Sequence, residues 1–100
     1  MPAYFVVNIE VTNKADFKVY AETVAPVIAQ YGGRYVLRAP ELHKIEGDFD
    51  LKRLVILEFP TMDAARTFYD SPEYAPLLKL RLGSTKSHMV LAEGFVAAES

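Results

Sequence analysis

From Arg53 to Phe59 the chain places Leu54, Val55, Ile56 and Leu57 in unbroken succession, so a strand there is apolar on both faces. Such a strand belongs in the middle of a sheet, buried on both sides. With 100 residues the chain can build one small two-layer core but not a second independent one, so residues 1–100 are read as a single domain. A helical layer can cover one face of that central strand. The other face has to find cover elsewhere.

The first stretch, Ala3 to Val11, alternates Phe5, Val7, Ile9 and Val11 with Tyr4, Val6, Asn8 and Glu10. A period of two predicts a strand, with one parity wholly apolar and the other turning polar toward its end. Thr12 and Asn13 are both candidate helix caps, and Asn13 stands three residues before Asp16, an acid suited to a helix N-terminus. Phe17, Tyr20, Ala21, Val24, Val27, Ile28 and Tyr31 then recur at helical spacing, and Gly32-Gly33 ends the helix, with Gly32 suited to a left-handed residue. Pro26 inside this segment predicts a bend or local break. Arg34 to Arg38 is a second strand, and Glu41 to Glu46 is expected to extend the same edge after Ala39-Pro40.

After the central strand, Thr61 caps a short helix with Met62, Ala65, Phe68 and Tyr69 facing inward. Ser71-Pro72-Glu73 is a second cap signal for a helical piece bearing Tyr74, Leu77, Leu78 and Arg81. Gly83 is expected to break that piece, and Ser87 to Glu93 to form the last strand. The order β-α-β-β-α-β predicts an α+β, ferredoxin-like fold: an antiparallel sheet, first and third strands central, with two helices on one face. Tyr4, Val6 and one apolar parity of the third strand are then left on a helix-free face. Stacking two such faces in a homodimer resolves the exposure.

Composition narrows the function classes. Hydrophobic residues make up 51% of the chain and charged residues 24%, which argues against disorder. Lys and Arg number 11 against 13 Asp and Glu, a net charge of −2, so neither nucleic acid nor an anionic membrane is an expected partner. The RNA-binding fold that shares this element order needs stacking aromatics on its third strand, and Leu54 to Leu57 is aliphatic. With no cysteine there is no disulfide, thiol nucleophile or thiolate metal site, which fits a reducing cytoplasm. A signal core and membrane-length apolar run are not seen, and the expected location is cytoplasmic. His43 and His88 lack a paired metal-ligand spacing, so no metal site is expected. A single histidine can suffice for haem, but His88 on a strand reads first as a surface or interface residue, and no cofactor is expected. Gly32-Gly33 follows a helix and precedes a strand, the reverse of a phosphate-binding order.

The ordered set Gly32-Gly33-Arg34, Arg38, Glu46-Gly47, Arg53, Glu58-Phe59-Pro60, Tyr69-Asp70-Ser71-Pro72-Glu73-Tyr74, Arg81 and Glu93-Gly94 resembles the DUF1330 family over nearly the whole chain. The resemblance implies membership of the dimeric α/β-barrel superfamily, whose monomers pack sheet against sheet. The family's function is undefined and it supplies no catalytic residue. Other branches include cofactor-free monooxygenases, isomerases, haem-binding enzymes and ligand sensors, and fold does not choose among them. Ala39-Pro40 stands where that family commonly has Gly-Gly, and Phe68 where it frequently has Trp.

The polar constellation that can carry chemistry has Glu58 as a general base and Asn8, Arg38, Tyr69, Ser71, Tyr74 and Arg81 as ligand-binding groups, with Arg53 beside them. Glu58 is the one acid in the most apolar strand, where burial raises a carboxyl pKa unless a cation or hydrogen bonds favour its charge. Its competing role is an ion pair with Arg38, Arg53 or Arg81 that orients the wall. Tyr69 and Tyr74 either converge on a ligand oxygen or cover the core edge. Ser71 reads as a cap before it reads as a nucleophile. Two functions are carried forward: a small-molecule-binding homodimer with cofactor-free isomerase or monooxygenase-like chemistry on a small carbonyl or aromatic compound, and a non-catalytic dimeric sensor or interaction module.

Overall fold

A computed structural model describes residues 1–95. Its elements are β1 (Ala3–Val11), α1 (Lys14–Gln30), β2 (Arg34–Arg38), β3 (Leu54–Phe59), α2 (Met62–Tyr69), α3 (Ala75–Ser84) and β4 (Thr85–Glu93). The four strands form an antiparallel sheet in the order β2-β3-β1-β4, so the two most apolar strands are central. Phe5, Val7, Ile9, Leu57 and Phe59 point to one face and pack with Val24 and Ile28 of α1 and Ala65 and Phe68 of α2. Each large apolar side chain buried there contributes about 1.5–3 kcal/mol.

Local chemistry sets the helix ends. The Asn13 side chain accepts from the backbone N–H of Asp16 at 3.1 Å, and Thr61 accepts from that of Ala64 at 3.0 Å. At the C-terminus of α1, Gly32 takes φ +84° and donates to Ala29, while Gly33 donates to Ile28. That paired arrangement closes the last carbonyls. A Cβ on Gly33 would lie 2.6 Å from the Phe59 ring, so glycine is needed for the close approach.

Four expectations are corrected. α1 runs through Pro26 without a break: the proline is on the exposed side, where water can satisfy the carbonyl it leaves without a donor. α3 runs through Gly83 to Ser84, because the hydroxyls of Ser84 and Thr85 take up the carbonyls of Leu80 and Arg81 at 2.8 and 2.7 Å. The last strand accordingly begins at Thr85 rather than Ser87. Glu41 to Glu46 forms no strand. Ala39 takes φ +50° and turns the chain off the sheet edge, and Pro40 has no N–H to offer a neighbouring strand.

The other sheet face has no helix over it among the described residues. Tyr4, Val6 and Asn8 of β1 lie opposite Glu58, Ile56 and Leu54 of β3, and opposite Ala92, Val90 and His88 of β4. Val90, paired with Val6, is 61% exposed. A register shift between Tyr35 and Leu37 changes the parity of β2. Arg34 pairs with Glu58 on the open face, whereas Arg38 pairs with Val55 on the helix-covered one. The shift therefore re-aims Arg38 to the helix-covered side of the sheet, where it stays exposed.

Candidate functional site

Between the sheet and the helices lies a cavity of about 100 Å³. The sheet contributes Val7, Ile9, Val55 and Leu57, the helices contribute Phe17, Tyr20 and Phe68, and Tyr74 comes from the turn just before α3. The charged groups on its wall are Arg38, Arg53 and Arg81, and no Asp, Glu or His among the described residues lines it. The volume suits a compact molecule rather than an extended one.

Arg81, on α3, is 3% exposed. Its Nε donates to the Tyr74 hydroxyl at 3.3 Å and its Nη1 to the Ser87 hydroxyl at 2.5 Å. The Tyr74 hydroxyl in turn lies 3.1 Å from that of Tyr20 on α1. Among the described residues no carboxylate forms an ion pair with Arg81. Its hydrogen bonds are met by neutral groups, which leave its charge uncompensated. Burial pulls the guanidinium pKa down, but the surrounding phenols, Tyr74 foremost, outweigh that effect and the pKa is raised. Burial, followed by the neighbouring Tyr74, pushes the Tyr20 phenol pKa up, so Tyr20 is a neutral hydroxyl at physiological pH. Burial does the same to Tyr35, against the opposing influence of Arg38. Arg38 and Arg53 lie over aromatic rings, 4.7 Å from the centroid of Tyr35 and 5.5 Å from that of Phe17.

The structure thus brings Arg38, Arg53, Tyr74 and Arg81 together and separates the rest of the expected constellation. Glu58 is on the opposite sheet face, ion-paired with Arg34 and accepting from the Tyr4 hydroxyl at 3.0 Å. The ion pair anticipated for it exists, but with Arg34 instead of Arg38, Arg53 or Arg81. Asn8, also on that face, accepts from the backbone N–H of Lys52 and ties the 39–53 loop to β1. Ser71 is buried as a cap: it donates to the Phe68 carbonyl at 2.8 Å and accepts from the Tyr74 N–H at 3.1 Å. Tyr69 faces a separate groove with Phe5, Arg66, Asp70, Met89 and Leu91, although its ring is 5.7 Å from that of Tyr74. Tyr20 and Tyr35 are the site residues that sequence reasoning missed as polar groups. The one signal for Tyr20 is a hydroxyl-bearing residue in an otherwise core-facing helical stripe. His88 is exposed on the open face, and among the described residues no group of three or more His, Asp or Glu is placed to hold a metal.

The antiparallel β2-β3-β1-β4 sheet with helices on one face defines an α+β protein of the ferredoxin-like class. Residues 2–95 match the model of the family described as "Domain of unknown function (DUF1330)", and the chain belongs to that family. No curated protein matches the sequence. Among solved structures, the chain is similar to RPA0582 from Rhodopseudomonas palustris, a protein of unknown function (18% identity, TM-score 0.77, covering 95% of this chain and 83% of that one). It is also similar to SnoaB, a cofactor-independent oxygenase from Streptomyces nogalater (17% identity, TM-score 0.66, covering 99% and 98%). A third is a dimeric ferredoxin-like protein of unknown function from Jannaschia sp. CCS1 (12% identity, TM-score 0.65, covering 94% and 100%). At these identities the likeness is one of fold. No helix among the described residues is long and apolar enough to cross a membrane.

Proposed function

We propose that the protein is a homodimer, closed through its helix-free sheet face, that binds a small molecule in the cavity beneath its helices. The observation that carries the binding reading is Arg81, 3% exposed on an apolar cavity wall with no carboxylate paired to it among the described residues. A buried guanidinium and two phenols are the convergent polar groups that orient a ligand in an otherwise apolar pocket. The dimer reading is supported by the apolar character of the open face around Val6, Ile56 and Val90, and by the dimeric state described for the Jannaschia neighbour.

A cofactor-free isomerase or monooxygenase-like activity on a small carbonyl or aromatic compound is the catalytic form of this reading, and the fold likeness to a cofactor-independent oxygenase favours it. Its pocket groups would hold and stabilise a developing oxyanion. The non-catalytic form, a ligand sensor, is favoured by a different observation. Among the described residues the cavity wall contains no carboxylate or imidazole to serve as a general base, and Glu58 is on the other side of the sheet.

Native mass spectrometry of gently purified full-length protein tests assembly and ligand together. A dimer carrying a discrete small mass, lost on substitution of Arg81 with Met, is the expected result. A monomer removes the dimer reading; a dimer whose bound mass is unaffected by Arg81→Met removes the cavity as its site.

A further inference from the structure

We infer that the cavity is built for a compact aromatic monoanion, a carboxylate or phenolate, whose charged oxygen is received by Arg81 and the Tyr20–Tyr74 hydroxyl pair. The inference rests on the proposal that this cavity is a binding site, and adds the charge and shape of what enters it.

Proton counting gives the first argument. Arg81 has only donors, and its Nε donates to the Tyr74 oxygen. Tyr20 and Tyr74 share one hydrogen bond between two hydroxyls. Two O–H groups with one mutual bond leave one proton to give, whichever of them donates. The network therefore ends on a donor, at a cavity whose walls are mostly apolar, and it is completed by an acceptor oxygen from outside the chain.

Charge gives the second. The chain carries 13 acidic residues against 11 basic ones, yet the cavity wall has three arginines and no acid among the described residues. Arg81 lies inside, while Arg38 and Arg53 are exposed, each laid over an aromatic ring of the wall. Positive groups graded from entrance to interior draw an anion inward and repel a cation or a metal ion. A single negative charge matches the one buried guanidinium. A phosphate dianion would bring more charge and more acceptor atoms than the interior donors can meet.

Shape gives the third. Phe17, Tyr35 and Phe68 line the small space, with Ile9 and Leu57 of the sheet. A planar ring fills a narrow aromatic-walled cavity with little conformational entropy to lose.

The test compares matched anionic and neutral probes on the full-length protein. Benzoate and benzamide have nearly the same shape, and binding of each is followed by the NMR shifts of residues around Tyr20, Phe68 and Tyr74. Benzoate is expected to bind at least about tenfold more tightly than benzamide, with the preference lost in Arg81→Met. Equal affinities overturn the anion inference while leaving the cavity as a binding site. No shift at those residues with either probe overturns the binding-site reading as well. Should Arg81→Met fail to fold, 4-nitrophenol with the wild-type protein keeps the inference falsifiable. Binding is expected to increase the phenolate absorbance at a pH where the free probe is partly protonated, and an unchanged or reduced phenolate fraction overturns it.

Discussion

Arg34 and Arg81 project to opposite sides of the same sheet and are treated in opposite ways. Arg34, on the helix-free face, pairs with Glu58, which also accepts from Tyr4, so three adjacent strands share one charge-matched cluster. Arg81, beneath the helices, is 3% exposed and has a phenol and a serine hydroxyl for partners. A charge matched within the protomer can be covered by another apolar surface without leaving a net charge behind. A buried charge matched only by neutral groups fits a site that awaits an anion. On the proposed reading, the open face serves assembly and the covered face serves ligand chemistry.

The largest expected effect separates assembly from fold. Val6 lies at the centre of the open face, between Ile56 and Val90 across the strands. Val6→Asp would place one carboxylate per copy in the proposed interface, at about several kcal/mol for each uncompensated ion. Analytical ultracentrifugation should then show monomers, or the protein should become insoluble. A soluble dimer as stable as the wild type removes this face as the interface.

Next in size is Glu58→Gln, which leaves Arg34 without its counter-charge in the proposed dimer. A cost of about 2–5 kcal/mol to association is expected if the pair is desolvated there, with benzoate affinity unchanged because Glu58 is not on the cavity wall. Arg81→Met should show the reverse pattern, an intact dimer that no longer prefers benzoate. If Glu58→Gln abolishes ligand binding and leaves the dimer untouched, the division between the faces is wrong.

The sheet order was legible because Leu54 to Leu57 and the alternation of Ala3 to Val11 leave few places for those strands other than the centre. The helix starts were legible because Asn13 and Thr61 act within three residues of themselves. Glu58 was harder to place. In a strand apolar on both parities, composition cannot say which parity meets the helices; pairing with Tyr4 does, and that is a contact across 54 positions. Arg38 was placed in the site from sequence, but its orientation depends on the register shift between Tyr35 and Leu37, for which no Gly or Pro between them gives a signal. Tyr20 looked like one more core residue because its role depends on Tyr74, again 54 positions away.

Alkaline pH probes the buried Tyr20 phenol of the cavity. Burial raises the Tyr20 pKa above its ordinary value near 10, so the folded chain keeps a proton that the unfolded chain loses. The resulting stabilisation is fully present below about pH 10 and declines as pH rises past it, by up to about 1.4 kcal/mol per pH unit for each such phenol. Urea titrations across this range should show a shallower decline for Tyr20→Phe than for wild type, with a residual slope from Tyr35, which shifts the same way. An identical slope in the variant would mean that the Tyr20 hydroxyl is not held protonated by the cavity.

The smallest effect concerns Ala39, which lines the cavity at φ +50°, a conformation that L-residues with a Cβ rarely adopt. Ala39→Gly removes that steric cost while giving the unfolded chain more freedom, for a net gain of up to about 1 kcal/mol. The effect on function depends on what the strained residue does. Ala39 follows Arg38 directly, and its N–H donates to the Leu54 carbonyl at 2.9 Å, so it fixes the point where the cavity wall leaves the sheet. If that restraint holds Arg38 at the entrance, Ala39→Gly will gain stability and bind benzoate more weakly. A variant that gains stability at unchanged affinity would mean that the strain does not position the arginine, and that the anion is held by the interior groups alone.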